Sequence, residues 1–310
     1  MNSKHANRIF LSIIWLHIAV LIVWTFLAPD RDLGMIANFL ISQSMLLVPA
    51  VIGTILAGDH PLRLAGFRRI RLSTAGVICV FTFLCMPLTT TVNIFTLFFV
   101  DNTAAMMSGQ ILELPFVVSW LMVGVLGPLC EEFVFRGILY QGYRRSGSVL
   151  AAVFLSAVLF GLGHMNLNQA AYAFVIGIVV ALLAEATGSL WGPVIFHVVF
   201  NSSQVVVMYL TERLTGAGGQ TAETAAALTP DLLMVMLSVW LVISMVTTAF
   251  AGFLLVWIAK NEKREAALKY VWKGRKDRKE HMVTVPLIGA VVTAGFYMGL
   301  LIVIPYAFQG

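Results

Sequence analysis

Two adjacent glutamates, Glu131 and Glu132, lie inside an apolar stretch of the chain. An ionised carboxylate at the centre of a hydrocarbon layer costs at least about 2.5–3.5 kcal/mol, even on the most lenient scale. Glu185 is the one other acidic residue in the interior of an apolar run; Asp231 is the first residue of another. Acidic residues in such surroundings are functional candidates by default, so their partners must be sought on other apolar segments.

The first motif runs from Glu131 to Arg136. On a helix, Glu132 and Arg136 stand at i and i+4 with the acid first, which is the favourable order for an ion pair. Glu131 points about 100° away and has no local counter-ion, which suits a general base or acid. The alternative is that both glutamates only pair with basic groups on neighbouring helices.

Two further motifs carry histidine: one runs from Phe160 to His164, and the other places His197 and Asn201 on one helix face. A carboxylate and an imidazole can together hold and deprotonate a water beside a scissile carbonyl. A second imidazole and an amide can donate hydrogen bonds to the developing oxyanion. A lone intramembrane histidine is more often a simple hydrogen-bonding residue, so the prediction depends on the three motifs together.

Glutamate with two histidines can also bind zinc, and the ligands would be Glu131, His164 and His197. The H-E-x-x-H arrangement of zinc proteases is absent from the sequence. We therefore favour activation of water by side chains without a cofactor, and keep zinc as the alternative.

The elements that must position these residues are membrane helices. Of the 310 residues, 59% are hydrophobic and 11% are charged, against about 25% charged in a soluble domain. Nine apolar runs are long enough for a hydrocarbon core of about 30 Å, at residues 9–28, 35–57, 74–99, 114–140, 148–164, 168–187, 189–210, 231–259 and 283–307. The fold class is thus all-α, a polytopic transmembrane helical bundle of about nine spans (eight to nine), with the site among spans four to seven.

The chain divides into three regions: N-terminal helices at 1–113, a core at 114–210, and C-terminal helices at 211–310. Eighteen of the twenty Lys and Arg residues fall on the side of the N-terminus. The positive-inside rule therefore predicts a cytoplasmic N-terminus and an outside C-terminus. The expected location is the plasma (inner) membrane. The basic cytoplasmic segment 260–281 is either an interfacial helix or a solvated loop, and no nucleic-acid partner is needed to explain it.

The predicted depths of the site residues conflict. Counted along straight spans, Glu131 lies on the cytoplasmic side of the fourth span, whereas His164 lies near the outer end of the fifth. The two can meet only if the fourth span is long and tilted, or if the turn after His164 dips inward.

The three motifs together also resemble those of a known protein family. E-E-x-x-x-R at 131–136, F-x-x-x-H at 160–164 and H-x-x-x-N at 197–201, in this order on hydrophobic helices, resemble the CPBP family. That family comprises type II CAAX prenyl proteases and bacteriocin-processing or immunity proteins, also called Abi proteins. The resemblance covers about residues 115–210.

The resemblance implies roles for individual residues. It implies that Glu131 and His164 activate the water, and that His197 and Asn201 form the oxyanion site. It gives supporting roles to Glu132 and Arg136. Members are often labelled metalloproteases, although a glutamate-dependent mechanism without metal is also held for the prenyl proteases.

The leading hypothesis is an intramembrane endopeptidase acting on a membrane-embedded or lipidated peptide, of which a prenylated CAAX-type C-terminus is one option. The second is a non-catalytic membrane regulator or bacteriocin-immunity factor that acts through a protein partner. A transporter is a third, weaker hypothesis, because intramembrane acids and histidines can relay protons.

Overall fold

The protein is described by a computed structural model that covers residues 1–27, 33–100, 103–216, 229–273 and 281–307. Throughout these ranges the regular secondary structure is helical, without a strand, as predicted. The helices are α1 (Ser3–Leu27), α2 (Gly34–Leu56), α3 (Pro61–Ala65), α4 (Leu72–Thr96), α5 (Thr103–Leu112), α6 (Phe116–Ser146), α7 (Val149–Gly163), α8 (Leu167–Thr187), α9 (Trp191–Thr215), α10 (Pro230–Asn261), α11 (Glu265–Trp272) and α12 (Val285–Ala307).

The nine predicted apolar runs each correspond to a helix of this bundle. Within the described part of the chain, seven helices are long and apolar enough to cross a membrane. Two shorter apolar stretches are α7 and the Val285–Leu301 part of α12. The protein is therefore a multi-pass integral membrane protein. Residues 217–228 of the predicted outside loop and residues 274–280 of the basic segment lie outside the described ranges.

Helix α6 carries both glutamates and contains an unexpected local feature. The Gly127-Pro128 pair favours a kink or a break, but the helix continues for 31 residues. The disturbance is absorbed by two π-helical segments, Trp120–Leu126 just before the proline and Phe133–Leu139 after the glutamates. Because Pro128 has no N–H to donate, a widened turn before it accommodates the missing hydrogen bond.

The depth conflict disappears because α6 is long and α7 is short. Helix α7 has 15 residues, or about 22 Å at 1.5 Å per residue, which is less than the hydrocarbon thickness. It folds back beside α6 after the turn at Gly147 and Ser148. Glu131 and His164 lie sixteen residues on either side of this turn. The two antiparallel helices thus bring them to similar depth.

Helix α7 packs closely on α8, and two glycines allow the approach. A Cβ on Gly177 of α8 would lie 2.8 Å from the Cα of Ala157. A Cβ on Gly161 of α7 would lie 2.6 Å from the carbonyl oxygen of Ala170. Both obstacles are backbone atoms, which cannot rotate away, so these positions fix the distance between the two helices.

We predict that Gly177→Ala destabilises the protein by about 1–3 kcal/mol, because the added methyl group overpacks this contact. The matched control is Gly252→Ala on α10, where a Cβ would meet nothing within 4 Å. That change should be neutral or stabilising by up to about 1 kcal/mol, since alanine is the better helix former. Thermal unfolding in detergent measures the change in stability of each variant. Equal midpoints for the two variants would contradict the packing argument.

The basic segment after α10 begins with a short helix that packs against the bundle. Helix α11 is only eight residues long. Its apolar face contacts the bundle, because Val271 is fully buried and Leu268 packs against the core. Trp272 is exposed. The described part of this segment is therefore a short helix docked onto the protein.

Candidate active site

The predicted ion pair on α6 is present and wholly buried. Nη1 of Arg136 donates to Oε1 of Glu132 at 3.2 Å, and neither side chain has exposed surface. The guanidinium carbon also lies 4.2 Å from the centre of the Phe160 ring, in cation–π geometry. The arginine is thus held between a carboxylate on its own helix and an aromatic face on α7.

His197 on α9 joins this pair, which the sequence did not predict. Its Nδ1 lies 2.9 Å from the same Oε1 of Glu132. Because a carboxylate oxygen accepts hydrogen bonds, Nδ1 must carry the proton, and Glu132 fixes the orientation of the ring. The Nε2 atom on the opposite side of the ring lies 3.8 Å from Oε2 of Glu131. One imidazole therefore lies between the two adjacent glutamates.

His164 follows the last residue of α7, and its Nδ1 is bound to the backbone instead of to a carboxylate. That Nδ1 lies 2.8 Å from the carbonyl oxygen of Phe160, so Nδ1 is the donor. In the neutral ring Nε2 then carries a free lone pair. His164 and His197 both stand edge-on to the Phe160 ring, at 4.9 Å and 5.8 Å between centroids. Phe160 is the shared side chain that brings the two imidazoles into one cluster.

Asn201 lies one helical turn after His197 and binds the widened part of α6. Its Nδ2 donates to the carbonyl of Val123 at 3.1 Å. The neighbouring Ser202 hydroxyl donates to the carbonyl of Gly124 at 3.4 Å. Gly124 is four residues before Pro128, so its carbonyl loses the usual helical donor there. Helix α9 therefore supplies the hydrogen bonds that the proline-containing helix lacks.

The two glutamates differ in how much of each side chain is exposed. The side chain of Glu131 is 24% exposed, whereas that of Glu132 has no exposed surface. Oε2 of Glu132 and two nitrogens of Arg136, Nε and Nη2, are buried without a hydrogen bond in the described residues. Such unsatisfied polar atoms are costly. The accessible carboxylate is thus suited to meet water or substrate, while the buried one orients His197.

The zinc alternative stays a prediction. Within the described ranges, no group of three or more His, Cys, Asp or Glu side chains could hold a metal ion. No step of the chemistry proposed below depends on a metal.

The structure thus brings together residues from all three predicted motifs. Glu131 and Glu132 both approach His197, and His164 joins them through Phe160. Asn201 lies next to the cluster, with its amide bound to the backbone of α6. Sequence reasoning assigned no role to Phe160 or Ser202. The signal for Phe160 was its spacing of four residues before His164, which places it on the same helix face.

Comparison with known proteins finds a family match over the region that contains these residues. The model of the family described as "Type II CAAX prenyl endopeptidase Rce1-like" matches residues 113–203, which include all the predicted site residues. Residues 113–203 are a CPBP-family segment. The resemblance predicted from the three motifs is thereby confirmed, and the CPBP segment coincides with helices α6 to α9.

One curated relative extends the comparison. The "Putative membrane peptidase YdiL" of Bacillus subtilis (strain 168) is 30% identical over 111 residues. The alignment covers 36% of this chain and 43% of that relative, so the chain spans less than half of the relative's length. No solved structure matches the protein. The CPBP segment and the membrane location are thus established.

Proposed function

We propose that the protein is an intramembrane endopeptidase that hydrolyses a peptide bond of a membrane-associated substrate. The observation that carries the proposal is the placement of Glu131. It is a partly exposed carboxylate inside an apolar bundle, 3.8 Å from an imidazole whose other nitrogen is held by a buried glutamate. A purely structural acid would be expected to find a buried counter-ion, as Glu132 does.

The partners of the two histidines support different roles for them. Among the described residues His164 is bound only through Nδ1, so the lone pair of Nε2 can accept a hydrogen bond from a water molecule. Glu131 would take a proton from that water as its oxygen attacks the scissile carbonyl. The same proton would then pass to the departing amine nitrogen, giving a carboxylic acid and an amine. Water is consumed and no covalent enzyme intermediate is formed.

His197 is suited to the oxyanion. Since Nδ1 already donates to Glu132, Nε2 can donate only when the ring is doubly protonated. The carboxylates on either side of the ring can balance the charge of that form. Asn201 would use its second amide hydrogen, because the first donates to Val123. Together they would stabilise the charge that develops on the carbonyl oxygen.

The CPBP segment supports a peptidase, and the substrate class is part of this proposal. Membrane-embedded or lipidated peptides fit a site that lies within the bundle, and prenylated CAAX-type C-termini are one such class. We also propose the plasma membrane with a cytoplasmic N-terminus, because eighteen of the twenty basic residues share that side.

Metal dependence is tested by chelation. We predict that a strong zinc chelator leaves peptide cleavage by the purified protein within about twofold of the untreated rate, because Glu131 and His164 suffice to activate water. A zinc protease of known sensitivity, treated in the same detergent, is the control. Loss of cleavage that added zinc restores would contradict this prediction and favour a site formed by Glu131, His164 and His197.

A further inference from the structure

A second candidate site adjoins the Arg136 side of the glutamate cluster, at the end of the bundle that the positive-inside pattern predicts to be cytoplasmic. A cavity of about 270 Å³ opens between α3, the end of α6, the end of α8 and the start of α11. Its lining contains six arginines and one acidic residue. The arginines are Arg63, Arg68, Arg136, Arg144, Arg145 and Arg264, and the acid is Glu185.

Glu185 is the third acidic residue in the interior of the apolar runs, and it does not belong to the candidate active site. Arg144 binds both of its carboxylate oxygens, and Arg264 lies 3.8 Å from Oε2. The hydroxyl of Tyr140 donates to Oε1 at 3.0 Å. Glu185 is almost fully buried. It therefore fixes two guanidinium groups in place on the cavity wall, and it cannot neutralise the remaining arginines.

Two of the other arginines have no carboxylate partner. Arg63 and Arg68 are exposed and form no ion pair within the described part of the chain. Arg145 pairs with Asp59, but half of its side chain remains exposed. An exposed ion pair of this kind contributes little. The cavity thus holds an excess of positive charge that the described residues leave unpaired.

The walls of the cavity are held together by specific contacts. The hydroxyl of Ser189 donates to the carbonyl of Arg68, and the amide of Leu190 donates to the carbonyl of Gly66 at 3.1 Å. Gly188 has a φ of 66°, and a Cβ there would lie 2.9 Å from Nε of Arg264. These contacts join the loop after α3 to the loop after α8 and place Arg264 against it. The backbone that carries Arg68 and the guanidinium of Arg264 are therefore positioned before any ligand arrives.

The positive-inside rule alone does not explain this arrangement. It is satisfied equally by lysine, which supplies seven of the twenty basic residues of the chain, yet no lysine lines the cavity. Arginine presents a planar fork of donors that matches the oxygens of a phosphate group. The position near the membrane surface also lies within reach of lipid headgroups.

We propose that this cavity binds an anionic phosphate group, either of a phospholipid headgroup or of free inorganic phosphate. Arg63 and Arg68 supply the unpaired charge, and the Arg144 and Arg264 pair held by Glu185 forms the rigid wall. The proposed phosphate site takes no part in peptide hydrolysis. A failure of either proposal would therefore leave the other unaffected.

The test uses the full-length protein, purified and delipidated in a neutral detergent. Thermal unfolding is followed with added phosphatidylglycerol, with phosphatidylcholine, or with inorganic phosphate, and bound lipid is counted by native mass spectrometry. The test variant is Arg63→Gln/Arg68→Gln. The matched control is Arg8→Gln/Arg69→Gln, which removes the same charge from exposed arginines on the same side but outside the cavity.

We expect phosphatidylglycerol to stabilise the wild type, with binding at least about tenfold weaker in the test variant and within about twofold of wild type in the control. Stabilisation by inorganic phosphate as well would show that the free anion suffices. Stabilisation by phosphatidylglycerol alone would assign the site to a lipid headgroup. Equal loss in both variants, equal stabilisation by phosphatidylcholine, or no stabilisation by either anion would overturn the proposal.

Discussion

Replacing Glu131 by Gln is expected to lower the rate of peptide cleavage by about 10²–10⁴-fold, the range lost when a general base is removed. Glutamine has the same shape but cannot take a proton from water. Folding should be little affected, because the Glu131 side chain is partly exposed and its nearest charged partner is 3.8 Å away. Cleavage of a membrane-associated reporter peptide by the purified variants measures the loss.

The matched control is Glu113→Gln, which makes the same change at an exposed glutamate before α6. It should cleave at the wild-type rate. His164→Gln should lose activity to a similar extent as Glu131→Gln if the two act on one water molecule, and the double variant should then be little worse than either single variant. Additive losses would indicate that the two residues act in separate steps.

The Glu131→Gln variant also distinguishes an enzyme from a regulator that acts only by binding a partner. A non-catalytic protein would keep its biological effect in Glu131→Gln, since the surface it presents is almost unchanged. Retained cleavage and retained phenotype in a folded Glu131→Gln protein would therefore exclude the proposed mechanism. Loss of both would exclude the non-catalytic alternative.

The sequence predicted those parts of the site that depend on local spacing. The pairing of Glu132 with Arg136 follows from helix geometry alone, and it is present as expected. The contact between His197 and Glu132 joins residues 65 positions apart. It could not be predicted, because it depends on how α9 packs against α6. Local rules specify one partner of Glu132 and tertiary structure supplies the other.

The helical class and the apolar spans could also be predicted locally. About twenty consecutive apolar residues are what a helix needs to cross the hydrocarbon core, so the hydropathy of a segment indicates a span directly. The π-helical turns of α6 were not, since a widened turn leaves the hydropathy pattern almost unchanged. Gly127 and Pro128 indicated a disturbance at the right place. The sequence could not show that Ser202 and Asn201 on α9 would compensate for it.

The arginine-lined cavity likewise could not be predicted from the sequence. Arg63, Arg144 and Arg264 are far apart in the sequence and were predicted only as basic residues on one side of the membrane. Their convergence around Glu185 depends on the folded positions of three helix ends. The placement of Glu185 among apolar residues was the one sequence feature that pointed to this region.

The buried ion pair gives the largest expected effect on stability. We predict that Arg136→Met destabilises the protein by about 3–5 kcal/mol, because it leaves the carboxylate of Glu132 buried without its counter-ion. It also removes the cation–π contact with Phe160. Arg145→Met is the matched control. Its partner Asp59 is partly exposed, so the loss there should stay below about 1 kcal/mol.

The double variant Glu132→Gln/Arg136→Met tests why Arg136→Met loses stability. If the cost is the uncompensated charge, removing that charge should recover much of the lost stability, and the two changes should be strongly non-additive. Denaturant unfolding of the wild type, both single variants and the double variant in detergent gives the coupling energy. A double variant as unstable as the sum of the single variants would show that Arg136 acts by filling space against Phe160. The recovered double variant should still cleave poorly, because a neutral amide in place of the Glu132 carboxylate would no longer hold His197 between two negative charges.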